Sequence, residues 1–131
     1  MKNTLTGCPV QHALRYLGGK WQIGIIWSLR SQPLRFIGIR EQLPGITEKV
    51  LTENLRFFES VGTVKKKVFA EIPPRVEYQL TEDGRSLLPV IEKILQWGYV
   101  HMQDEKVNRA TGITPLSEIE PVILSVGNNQ L

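Results

Sequence analysis

A mainly α-helical chain with one small antiparallel β-wing is predicted by three observations. Phe36 to Leu43 places Phe36, Ile39 and Leu43 at i, i+3, i+7 on one helix face. Leu43-Pro44-Gly45-Ile46 then stops that helix, because proline cannot continue it and glycine tolerates the turn's backbone angles. A second helix follows, with Leu51, Leu55 and Phe58 at i, i+4, i+7, and after it Val64–Phe69 and Val76–Leu80 read as paired strands. Helix, tight turn, helix and hairpin in that order define a winged helix-turn-helix.

The remaining elements fit around this unit. Residues 1–7 lack periodicity and form a loose arm. Pro9 suits the first helical position, which makes Cys8 the cap of a short helix ending before Gly18-Gly19. Lys20 to Ser31 is apolar nearly all round and is expected to be the central core helix. Its Trp21 and Trp27 are read as core aromatics rather than the lining of a ligand pocket. Pro33-Leu34-Arg35 is expected to add a short strand to the wing sheet. Thr47 caps the second helix of the pair, and Gly62 supplies its left-handed C-terminal residue.

Val76, Tyr78 and Leu80 alternate with Glu77 and Gln79, whereas Lys65-Lys66-Lys67 does not alternate, so at least one lysine must face solvent. Thr81 caps a helix from Glu82 to about Gln103, divided or kinked by Pro89. Its apolar residues, Leu87 to Met102, occupy more than one stripe, so a second subunit is expected to cover the surplus. Residues 1–104 form the domain. Residues 105–131 are too apolar for a disordered tail and are expected to pack on the terminal helices.

The second helix of the pair has a polar face. Lys49, Thr52, Glu53 and Arg56 fall at i, i+3, i+4, i+7 opposite the apolar stripe. Lysine and arginine grip phosphates or guanine edges, threonine reaches a base or its methyl, and glutamate accepts from cytosine. Thr47, at the helix start, is placed against a phosphate. The plainer alternative is a solvated face with Lys49–Glu53 and Glu53–Arg56 pairs. The preceding turn and the following basic hairpin favour DNA. Lys65 and Lys67 are assigned to phosphate binding and Arg75 to the wing tip, where it either contacts DNA or pairs with Glu77 to hold the wing's shape.

Charge is distributed to match. The chain of 131 residues has a net charge of +3. Residues 1–34 carry four basic and no acidic side chains, residues 35–75 eight and five, and residues 76–131 four and eight. A basic front and acidic rear suit one face turned to a polyanion and the other to a partner subunit.

These landmarks resemble the HxlR-type winged helix-turn-helix transcriptional regulators, within the MarR-like group. The matching residues are Cys8-Pro9, Leu17-Gly18-Gly19-Lys20-Trp21, Leu34-Arg35-Phe36, Leu43-Pro44-Gly45-Ile46-Thr47 and Leu51-Thr52 with Leu55-Arg56. Pro73-Pro74-Arg75-Val76-Glu77-Tyr78 and Leu80-Thr81 complete the set. The resemblance implies a homodimer joined through its terminal helices, on a pseudo-palindromic duplex site, with a small-molecule effector or thiol chemistry as the signal. It also implies Cys8 as a thiol sensor, against the alternative of a plain capping cysteine. A helix start favours thiolate character. With no second cysteine in the chain, a resolving partner is Cys8 of the other subunit or a small thiol.

No catalytic constellation is visible: His12 and His101 are isolated, and Gly18-Gly19-Lys20 lacks P-loop spacing. Neither a metal site nor a cofactor motif is expected, and without an apolar run near twenty residues no membrane span is either. The expectation is a cytoplasmic, nucleoid-associated, sequence-specific DNA-binding regulator rather than an enzyme. A winged-helix module that binds protein instead is the competing reading, kept open by Glu48 and Glu53.

Overall fold

The computed structural model describes residues 7–105, which form six helices and one two-stranded sheet. Helix α1 (Pro9–Leu17) is amphipathic, and α2 (Gln22–Ser28) is short and buried from Gly24 onward. The expected helix from Lys20 to Ser31 is therefore trimmed at both ends. At its start the Gln22 side chain ties the loop down: Gly19 N–H donates to Oε1 at 2.7 Å, and Nε2 donates to the Arg15 carbonyl at 2.7 Å. At its end Leu29 closes the last turn, and Pro33 biases the residue before it toward extended backbone.

Helix α3 (Phe36–Glu41) runs two residues shorter than its apolar period, because the chain tightens through Leu43-Pro44-Gly45. Gly45 there has φ 94°, a region that glycine enters without a Cβ penalty. Helix α4 (Glu48–Val61) begins where Val50 N–H donates to Thr47 Oγ1 at 3.1 Å and ends at Gly62, φ 85°. Leu51, Leu55 and Phe58 are buried against Ile25, Ile26, Leu29, Ile39, Leu43 and Ile46. The core thus joins α2, α3 and α4 and fixes how α4 is held.

Strands β1 (Val64–Phe69) and β2 (Arg75–Leu80) pair antiparallel, from Val64 opposite Leu80 to Phe69 opposite Arg75. Leu34 adds the expected third position as a single bridge to Tyr78, with reciprocal backbone bonds of 3.0 and 2.8 Å. The expected alternation along β2 does not become an alternation of burial. Residues 75–79 are all half-buried and only Leu80 is buried: α3 and the short helix that follows the strand pack against it, while on its outer face Arg75 pairs with Glu77 and covers Phe69.

The helix expected from Glu82 to about Gln103 is divided. Thr81 caps α5 (Glu82–Arg85), its Oγ1 accepting from Gly84 N–H at 3.0 Å. Helix α6 (Leu88–Glu105) then starts afresh, with Pro89 at its second residue, where no helical N–H partner is lost. Trp27 is buried, as the core reading expects, while Trp21 is half-buried beside the turn glycine. No helix among the described residues is long and apolar enough to cross a membrane. Residues 106–131 lie outside the described residues, and with them the expected packing of that segment.

Candidate nucleic-acid interface

The site is built outward from α4. With Leu51, Leu55 and Phe58 inside, the 100° helical step turns Lys49, Glu53 and Arg56 to solvent, with Thr52 half-exposed between them. Neither Lys49–Glu53 nor Glu53–Arg56 is among the described ion pairs, so nothing described there ties these charges to one another. The Glu48 carboxylate is turned away from this group: it pairs with Arg40 Nη1 at 3.3 Å, across the tight turn. Arg40 Nε also donates to the Ile46 carbonyl at 3.3 Å, so one guanidinium holds the loop between α3 and α4. Its partner is exposed, which makes this a brace of geometry more than of stability. Thr47 contributes its hydroxyl to the cap and sits exposed at the N-terminus of α4, where backbone N–H groups and the helix dipole favour an anion.

The wing follows directly. β1 packs against α4 and carries Lys65, Lys66 and Lys67, all exposed. Strand alternation and the β1–β2 register assign them to two faces. Val64, Lys66, Tyr78 and Leu80 share the face that closes on the core; Lys65, Lys67, Phe69, Arg75, Glu77 and Gln79 share the other. On that outer face the Lys67 ammonium lies 4.9 Å from the Phe69 ring centroid, and the Arg75 guanidinium stacks over the same ring at 3.7 Å.

Arg75 is not projecting from the tip. It opens β2 and pairs with Glu71 at 3.0 Å and with Glu77 at 3.1 Å. Of the two roles expected for it, the pairing with Glu77 is what the geometry displays, with Glu71 as an added partner. The tip itself presents Ile72, Pro73 and Pro74, all exposed. Arg40 has no part in the sequence reading, since its grip on the turn depends on a contact across it; Lys66, named there only within the lysine run, is given a face by the strand register.

Cys8 is exposed at the start of α1, where it is the N-cap residue without a side-chain cap hydrogen bond. His12 lies one turn on, its N–H donating to the Cys8 carbonyl at 3.0 Å. His12, Tyr16 and Phe57 form a series of tilted ring contacts, 5.5 and 6.0 Å between centroids, that leads from α1 to α4. No cluster of three metal-ligating side chains is present among the described residues.

A helix-turn-helix with an outward polar second helix and a basic wing is the architecture of DNA-binding winged-helix regulators. The chain belongs to the HxlR-like helix-turn-helix family, which it matches over residues 16–106. It is 40% identical over 94 residues to an uncharacterised HTH-type transcriptional regulator of Methanothermobacter thermautotrophicus, the match covering 72% of each chain. Two solved structures are similar to it. One is a proposed transcriptional regulator of the MarR family from Porphyromonas gingivalis W83, with TM-score 0.67 and 39% identity, covering 70% of this chain and 90% of that one. The other is the redox regulator HypR in its reduced form, with TM-score 0.72 and 35% identity, covering 76% of this chain and 98% of that one. The protein is a DNA-binding transcriptional regulator, the reading favoured over a module that binds protein alone.

Proposed function

We propose that the chain binds double-stranded DNA as a homodimer, each α4 lying in a major groove of a pseudo-palindromic site. The outward group Lys49, Thr52, Glu53 and Arg56 carries this reading: it is polar, accessible, and flanked on one side by the cap at Thr47 and on the other by the lysines of β1. Arg56 and Lys49 approach base edges, with Thr52 and Glu53 between them; Thr47, Lys65 and Lys67 meet phosphates. Arg75 neutralises Glu71 and Glu77 and so keeps two carboxylates from opposing the backbone.

The dimer rests on α1 and α6. Val10 and Leu14 on α1, with Val90, Ile94, Trp97 and Val100 on α6, are exposed apolar side chains at helical spacing. A second copy covers them and sets two α4 helices about 34 Å apart, one duplex turn.

Cys8 is assigned a redox role on two grounds: it is exposed on α1 beside this apolar strip, and HypR, a redox regulator by name, shares the fold. Diamide would take up two electrons and two protons as two Cys8 thiols, one from each subunit, join in a disulfide. Non-reducing electrophoresis detects that dimer, and Cys8→Ser must abolish it. The DNA reading is tested by titrating labelled duplex at rising salt. Logarithmic affinity should fall linearly with logarithmic salt, and salt-independent or absent binding would overturn it.

A further inference from the structure

Gly62 and Thr63 turn the chain from α4 directly into β1, and the strand packs back along the helix. Lys66 lies three strand residues beyond Thr63, roughly 10 Å at a strand's rise. Arg56 lies six helix residues before Gly62, roughly 9 Å at a helix's rise. By this count the two residues stand at about the same level, Arg56 on α4 and Lys66 on the strand that packs against it. Tyr78 lies directly opposite Lys66 in the sheet register and shares its face. It is in electrostatic reach of α4: burial and the Glu59 carboxylate raise its phenol above the ordinary 10.0, while Arg56 acts in the opposite sense. The hydroxyl is a hydrogen-bond donor throughout the neutral range.

We propose that Lys66 and Tyr78 hold one backbone phosphate in a cleft between α4 and the wing, beside the base step that Arg56 reads. The inference rests on the reading of α4 as the DNA-facing helix. Lys66 supplies the charge, and Tyr78 donates to a non-bridging oxygen. Arg56 and Lys66 outweigh Glu59, so the cleft carries a net charge of one cation, with Glu59 as the opposing group.

Glu59 gives the test opposite signs. Full-length protein is titrated by fluorescence anisotropy against a random-sequence duplex across a salt series. Lys66→Gln should weaken binding roughly threefold to tenfold and flatten the salt slope by about one. Tyr78→Phe should weaken it about threefold with the slope kept, the loss of one hydrogen bond. Glu59→Gln should tighten binding by a few-fold, since the carboxylate beside Tyr78 no longer opposes the phosphate. Wild-type binding with normal salt dependence, together with Lys66→Gln and Glu59→Gln at wild-type affinity, overturns the cleft while leaving the DNA reading intact. Wild type that binds no duplex overturns both. Lys66 and Glu59 do not hold the core, so their variants keep the test open if Tyr78→Phe unfolds.

Discussion

Arg56 and Arg75 are both guanidinium groups near the proposed DNA surface, yet their surroundings give them opposite duties. Arg56 stands exposed on α4, without an ion pair among the described ones. Arg75 is held between two carboxylates and over an aromatic ring. Freeing it would expose Glu71 and Glu77 as uncompensated charge, so it is poorly placed to leave them for DNA. Arg56→Ala should therefore cost roughly 1–3 kcal/mol on a preferred duplex and relax preference at one position, measured against random DNA. Equal losses on both duplexes would reassign Arg56 to phosphate. The polar face of α4 was legible in the sequence because helical spacing alone separates it from Leu51, Leu55 and Phe58. Which lysine of Lys65-Lys66-Lys67 faces the helix was not legible: three identical side chains carry no alternation, and only the pairing with Tyr78 assigns them.

At the level of elements, periodicity located α3, α4 and both strands to within two residues, and capping chemistry at Thr47 and Gly62 marked the ends of α4. The break between α5 and α6 was misplaced at Pro89, since a proline in a helix's first turn begins it as readily as it ends the one before. Gly84 on α5 is buried so tightly on Thr63 that a Cβ there would lie 2.0 Å from the Thr63 carbonyl oxygen, and the same oxygen accepts from Thr81 N–H. The contact seats α5 at the foot of the wing, which no local sequence pattern encodes. Gly84→Ala should destabilise the fold by roughly 1–3 kcal/mol, read from the denaturant midpoint. Gly38 on α3, where a Cβ would meet only the Leu34 side chain at 3.6 Å, is the control, and Gly38→Ala should not destabilise the fold.

Among the described residues, α6 exposes four large apolar side chains, Trp97 at 65% and Ile94 at 44% among them. Trp97 also stacks on His101 at 3.8 Å, which stiffens the strip along the helix. Ile94→Glu with Trp97→Glu should give a folded monomer by sedimentation, with duplex affinity falling as the second reading head is lost. A double variant that stays dimeric would place the subunit contact elsewhere. The Leu34–Tyr78 bridge has a further consequence, which belongs to motion. Leu34 precedes α3 and Tyr78 sits midway along the wing, so their two backbone bonds fasten the wing to the entrance of the helix-turn-helix, while Gly62-Thr63 joins it to the exit. The amides of Leu34 and Tyr78 should exchange with solvent only as slowly as the core opens, far behind those at the wing tip, as native-state hydrogen exchange would report. Held at two points, the wing should move with the reading helix rather than apart from it.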